Sequence, residues 1–368
     1  MIKKTDYFDG YINFKVNSIG GRYLTNDSIQ KLNLENLNII GRSTNNLPIY
    51  SIKMGSGSKK ILIWSQMHGN EATSTKALLD TISYFSSIGK SYLNNVTLYI
   101  IPILNPDGAL LYTRENYNKK DLNRDAALLS QNESILLKNL YNDINPDFCF
   151  NLHDQKSIYS VAETKKPSIL SFLSPAADKN NSETKSRIIS MKIISHINDM
   201  LKPLLDGFIS RYKDDYNPSC FGDTFQTLKT PTILFESGHY KNDYNRENVR
   251  KYMCLAQISA IISVSSNSFL QYCPSDYYQI KENGQNFTDI LLKNVKIKKK
   301  SGYELTNISV NFKESLNKKS SKIDFIPKIH RVGDFTKLNG HVEYNLNNSE
   351  KIYDLDMDNV SDIINKIK

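Results

Sequence analysis

The stretch "KKILIWSQMHGNEATSTKALLDTI", residues 59–82, joins two kinds of pattern. Its first half is an apolar run typical of a strand buried on both faces. Beyond it, Ala72, Leu78, Leu79, Ile82 and Phe85 recur at helical spacing. A buried strand that feeds directly into a helix is the repeating unit of an α/β fold. At the junction His68 and Glu71 stand three positions apart. The pair can be read as a metal clamp. It can equally be read as a helix start, with Asn70 as N-cap and an acid in the first turn opposing the helix dipole. Only ligands elsewhere in the chain can decide between the two.

The rest of the chain extends the α/β reading. "NLNIIGRS" (36–43) and "PIYSIKMG" (48–55) flank "TNNL" and predict a hairpin. "VTLYIIPIL" (96–104) is a second buried strand ending at the turn signal "NPDG", and "DFCFNLH" (147–153) is a third, preceded by a helical stretch around 126–142. "SRIISMKIISHINDML" (186–201) has helical periodicity, and "TPTILFESG" (230–238) is a short strand closed by glycine. These alternations predict a mixed, mostly parallel sheet with helices on both faces, residues 1–270. From about residue 271 the texture changes to alternating runs such as "VKIKKK", "NISVNF" and "HVEYNL" separated by Asn, Gly and Lys. A small β-rich domain over 271–368 is expected, ending in the amphipathic segment "NVSDIINKIK".

Composition narrows the function classes. The 368 residues are 39% hydrophobic and 23% charged, as in ordinary globular proteins. No apolar run reaches the roughly 18 residues of a membrane span, and no leader-like stretch follows the lysines of "MIKKTDYF". A cytoplasmic protein with no membrane partner is therefore expected. Cys149, Cys220, Cys254 and Cys273 are too far apart in sequence for a C-x-x-C site and read as reduced thiols, Cys149 as core packing. The net charge of +9 is spread along the chain. Its one basic cluster, "KNVKIKKK" (293–300), alternates Val295 and Ile297 with lysines, which suits an exposed edge strand better than a phosphate groove. No nucleic-acid partner is expected.

In an open α/β sheet, ligands gather beyond the carboxyl ends of the strands. The residues at those predicted ends are His68 and Glu71, then Asn105 to Gly108, then His153, then Glu236. Two imidazoles and one carboxylate make a three-ligand zinc site with a fourth position open to water. That leaves Glu236 free to accept the water's proton as a general base. Asp154 could support the neighbouring His153 as an acceptor, but it reads first as a local turn former, since neighbours in extended chain point to opposite faces.

The set "HGNE", "NPDG", "DLNRD" (121–125), "FNLHDQ" (150–155) and "TILFESG" (232–238), in that order, resembles the zinc metallocarboxypeptidase family over roughly residues 40–265. The resemblance implies one zinc ion per chain on His68, Glu71 and His153, with Glu236 as base. It implies that Asn123 and Arg124 grip the terminal carboxylate of the substrate, which a planar guanidinium does bidentately. Arg114, the only arginine between Gly108 and Arg124, is the candidate for the oxyanion. Tyr212 and Tyr216 are candidates for the mobile tyrosine of the family. The short interval from Glu71 to His153 is also seen in the aspartoacylase and succinylglutamate desuccinylase group, which cleave N-acyl amino acids.

The expected function is thus a zinc hydrolase acting on a peptide or an N-acyl amino acid. A carboxypeptidase is the first reading, a deacylase the second, and a non-catalytic binding module on the same fold the third. Oligomeric state is not legible. "SFLSPAAD" (171–178) and "YNPSCFGDTF" (216–225) have loop composition and are expected to shape the pocket. His239 reads as a solvated loop residue, and His196, His330 and His341 as unrelated to the metal.

Overall fold

The structure, a computed structural model, describes residues 10–355 together with Val360, Ile363 and Ile364. Residues 1–9 and most of the predicted amphipathic segment at 359–368 lie outside them.

The buried runs and their neighbours form one eight-stranded mixed sheet. Its strands are β1 (Leu37–Arg42), β2 (Pro48–Gly55), β3 (Lys59–Ser65), β4 (Val96–Ile101), β5 (Phe148–Asp154), β7 (Leu170–Leu173), β8 (Ile209–Arg211) and β9 (Thr232–Ser237). The spatial order is β1-β2-β4-β3-β5-β9-β7-β8. β1 and β2 are the predicted hairpin, while β4, β3, β5 and β9 run parallel through the centre. β6 (Ser160–Val161) pairs outside this sheet with β10 (Asn283–Gly284).

The helices are α1 (Asn26–Gln30), α2 (Thr73–Ser86), α3 (Pro106–Leu111), α4 (Asn132–Ile144), α5 (Lys185–Leu205), α6 (Phe221–Thr227), α7 (Glu247–Ser266) and α8 (Pro274–Gln279). They cover both faces of the sheet. Successive side chains of a strand point to opposite faces. Accordingly Ile61 and Ile63 of β3 join the core under α2, α5 and α7, and Leu62 and Trp64 join a second core with Leu137 of α4 and Phe225 of α6. Burial on both faces is the physical reason that "ILIW" carries no polar residue.

The chain before α1 is strapped across α2 and α7 by one carboxylate. Asp80 accepts from the Tyr11 hydroxyl at 2.7 Å and the Val16 amide at 2.8 Å, and pairs with Arg250 at 2.6 Å. All of Asp80 and Arg250 is buried. The strap delivers Arg22 to the edge of the site described below.

The β-rich region contains β11 (Phe287–Lys299), β12 (Gly302–Asn317), β13 (Lys322–Gly333), β14 (Asn339–Asn345) and β15 (Ile352–Tyr353). Their order is β13-β12-β11-β14, with β15 also on β11. The lysine-rich run at 293–300 is therefore an interior strand and not an edge: Val295 and Ile297 face a separate apolar core, and Lys296 and Lys298 alternate onto the opposite face. Two predicted loops are also corrected. Ser171–Leu173 belong to β7, which pairs with both β8 and β9, and Phe221–Thr227 form α6, whose phenylalanines fill the core. The helix predicted at 126–142 begins at Asn132, and α7 shows no one-sided apolar stripe because it is buried almost all round, most of its serines, Gln257 and Arg250 included. Among the described residues, no helix is long and apolar enough to cross a membrane.

Candidate metal centre and cavity

His153 and Glu236 are the second-last residues of β5 and β9 and are register partners on these parallel strands. They therefore project from the same face at the carboxyl edge. His68 lies three residues past β3, and Glu71 just before α2.

The three predicted ligands converge. His68 Nδ1 is 2.8 Å from Glu71 Oε1, His153 Nδ1 is 2.8 Å from Glu71 Oε2, and the two Nδ1 atoms are 3.1 Å apart. One donor atom from each lies within 4.8 Å of the others, a possible metal site. Two imidazole nitrogens and a carboxylate oxygen turned on one point are the donor set of an open zinc site. The outer nitrogen of His68, Nε2, meets Asp121 Oδ1 at 3.0 Å, which fixes the ring and its tautomer. Arg114 ties the arrangement together, with Nε 3.0 Å from Asp121 Oδ2 and Nη1 3.3 Å from Glu71 Oε1. Asp121 escaped the reading of the sequence although it opens the "DLNRD" segment, because nothing local says which histidine it meets.

Electrostatics separate the two glutamates. Burial alone would raise Glu71, but His68 and His153 outweigh it and hold the carboxyl well below its usual range. Burial works against a charged His68, yet Glu71 and Asp121 bring it above its ordinary value. Burial keeps His153 below its own. Glu236 goes the other way: burial first, then repulsion from Glu71 and Asp154, push it well up, against the pull of Arg114 and Arg246. A carboxyl raised in this way is the stronger base of the two.

The surrounding loops are fixed by contacts from far along the chain. Asp154 is not a turn former; its carboxylate accepts from the amides of Thr73 at 2.8 Å and Ser74 at 3.0 Å, capping α2 from the end of β5. Asn70 takes no part in that cap, which starts at Ala72. The "NPDG" segment begins the short α3, with Asn105 as its N-cap accepting from Gly108 N at 2.8 Å. Asn105 also donates to Met67 O at 3.1 Å, so the two motif loops are joined. Gly69 packs backbone against backbone there: a Cβ at 69 would stand 1.9 Å from the Gly108 carbonyl carbon. Arg246 clamps the strand ends, donating to Ser237 O at 2.8 Å and Gln155 O at 2.6 Å.

A cavity of about 1110 Å³ opens over this centre, and all nine predicted site residues line it. At one end are Asn123 and Arg124. Asn123 Oδ1 accepts from Phe221 N at 3.2 Å, and Arg124 reaches Cys220 Sγ at 3.2 Å. Tyr216 is beside them, 3.5 Å from Thr227 Oγ1. Tyr212 packs on Tyr159 with ring centroids 5.3 Å apart, and burial together with nearby Glu236 raises its phenol well above the usual range. One histidine departs from expectation. His239 is buried rather than solvated and packs at a tilt on His341 of β14, with ring centroids 4.2 Å apart, while His341 bonds Ser157 O at 2.8 Å. The β-rich region thus reaches the strand ends, a long-range contact with no local signature.

Comparison with known proteins adds to this geometry. Residues 23–177 match the zinc carboxypeptidase family. The resemblance read from the motifs agrees with this match. The match includes His68, Glu71, Arg114, Asn123, Arg124 and His153, and ends before Tyr212, Tyr216 and Glu236. The chain is 29% identical over 124 residues to carboxypeptidase SOL1 of Arabidopsis thaliana, an alignment covering 28% of this chain and a quarter (25%) of that relative's length. Among solved structures it is similar to a metallo-carboxypeptidase of Burkholderia cenocepacia, with a TM-score of 0.53 and 14% identity, over 67% of this chain and 70% of that one. It is also similar to carboxypeptidase A of Helicoverpa armigera, with a TM-score of 0.52 and 13% identity, over 73% and 80% of the two chains. At such identities the likeness is one of fold.

Proposed function

We propose that this protein is a zinc-dependent amidohydrolase that releases a C-terminal amino acid from a peptide. The observation that carries the reading is the meeting of His68, Glu71 and His153 within 4.8 Å, with Glu236 beside His153 in register. One zinc ion per chain is assigned to those three residues. When bound there, zinc supplies an acidified water and Lewis acidity toward a carbonyl. Glu236 takes the proton of the attacking water and delivers it to the leaving nitrogen. Arg114, half exposed in the cavity against Glu71, faces the charge that develops on the carbonyl oxygen. Arg124 and Asn123 hold the terminal carboxylate, and Tyr212 or Tyr216 closes over the substrate.

We assign residues 1–270 to the catalytic unit and 271–368 to an accessory sheet. The four cysteines form no disulfide, which supports a reducing, cytoplasmic setting. The deciding experiment is Glu236→Gln. Zinc content should be unchanged while turnover falls at least ~100-fold, the scale of a lost general base. Near-normal turnover would refute the assignment. Peptides with free and amidated C-termini, run beside N-acyl amino acids, separate the carboxypeptidase from the deacylase.

A further inference from the structure

The cavity has two ends, and only one is occupied by the assignments above. From His68 a line of contacts runs through Asp121 to Asn123, whose amide donates to Asp121 Oδ1 at 2.9 Å, and on to Arg124 and Cys220. From Glu71 a second line runs through Asp154, whose amide meets Glu71 Oε2 at 3.2 Å, to Arg246 at 3.8 Å. Beyond Arg246 the lining comes from Arg22, Tyr244 and the β-rich region. If the leaving residue's carboxylate sits on Arg124, the acyl half of the substrate points to this second end.

That end is aromatic. Phe312 and Glu314 are two apart on β12 and so share a face, and Phe325 of β13 is the register partner of Glu314 on that same face. Phe312 and Phe325 both pack on Tyr244, with centroids 4.9 Å and 5.4 Å away, and all three rings are partly exposed in the cavity. The polar groups between them are already engaged. Glu314 pairs with Arg22 at 3.0 Å and with the Tyr112 hydroxyl. Asp289 accepts from the Tyr244 hydroxyl at 3.1 Å and from the Phe312 amide at 2.7 Å. Ring surface is what these strands leave free for a ligand. The ion pair of nearly buried Arg22 with Glu314 also anchors the wall to the rest of the molecule.

We propose that Tyr244, Phe312 and Phe325 form the acyl-side subsite, and that it takes an apolar group, aromatic or branched, on the acyl side of the scissile bond. The proposal rests on the amidohydrolase reading for its orientation. Two of the three rings come from the β-rich region, and none from residues 23–177, which match the family.

The test uses a matched pair of substrates, N-acetyl and N-(3-phenylpropionyl), on each of several leaving amino acids, with the wild-type protein and the Phe312→Ala and Phe325→Ala variants. Non-cleavable analogues of the same pair, with the amide replaced by a methylene ether, are titrated by calorimetry. Wild type should prefer the phenylpropionyl member by about tenfold or more in kcat/KM and in analogue affinity, the scale of a filled apolar pocket. Each variant should lose that preference while handling the acetyl member within about twofold. Phe325→Ala, on an edge strand, carries the test if Phe312→Ala does not fold. Absence of preference in wild type, or equal losses on both members in the variants, overturns the subsite. Preferential, Phe-dependent binding of the analogue without hydrolysis of any substrate keeps the subsite and refutes the amidohydrolase.

Discussion

His153 and Glu236 occupy the same rung of two parallel strands, one step from the carboxyl edge of the sheet. A rung of a buried sheet is among the most rigid placements a chain offers, so the distance between a proposed ligand and the proposed base is fixed by backbone hydrogen bonds and not by loops. Glu236→Asp keeps the acid but withdraws it by one methylene. A misplacement of about 1 Å costs on the order of 100-fold in rate. Steady-state kinetics should show kcat falling by that factor with zinc content unchanged.

Metal affinity should depend on a residue that is not a ligand. Asp121 holds the outer nitrogen of His68 at 3.0 Å, and losing such a partner weakens metal binding by about 10–100-fold. Competition with a chelator should reveal that loss in Asp121→Ala. His153→Ala or Glu71→Gln should fail to retain zinc through dialysis.

Arg124 should act on binding and not on the metal. A hydrogen bond to a charged partner contributes about 1.5–3 kcal/mol, so Arg124→Gln should lower kcat/KM by roughly 10–100-fold, mostly through KM, at unchanged zinc content. The loss should vanish with C-terminally amidated substrates. An equal loss on amidated and free substrates would remove the grip from Arg124.

Acid should unfold the protein partly through Glu247. Burial alone would raise this carboxyl, but Lys76 at 2.7 Å, Arg250 at 3.2 Å and Lys15 at 3.1 Å bring it down to about 2. A carboxyl lowered by folding adds stability that is whole above its unfolded value of about 4.5 and disappears as pH falls toward 2. Lys76 has the opposite sense: burial lowers it to about 8, so its cost is present below pH 8 and relieved as pH rises toward 10.5. Denaturant titrations of Glu247→Gln between pH 2 and 5 should show a flatter decline than wild type.

Much of the eight-stranded sheet was legible because a strand buried on both faces leaves a run such as "ILIW", and because the proposed metal ligands lie within a few residues of strand ends. What was illegible depends on partners distant in sequence. Asp154 caps a helix that starts some eighty residues earlier, which no local rule distinguishes from a turn. "YNPSCFGDTF" carries loop residues, yet Phe221 and Phe225 are drawn into a helix by the core around Trp64. His239 follows a glycine and looked solvated, but His341, about a hundred residues on, covers it. Arg22 and Arg246 line the cavity without any motif, because long-range packing alone brings them there.

The contact between Gly69 and Gly108 makes two loops a single mechanical part. Adding one methyl group at Gly69 would pry them apart and move the first histidine off its companions. Engineers who graft this centre onto another scaffold will need to transplant both loops together, since neither retains its shape without the other.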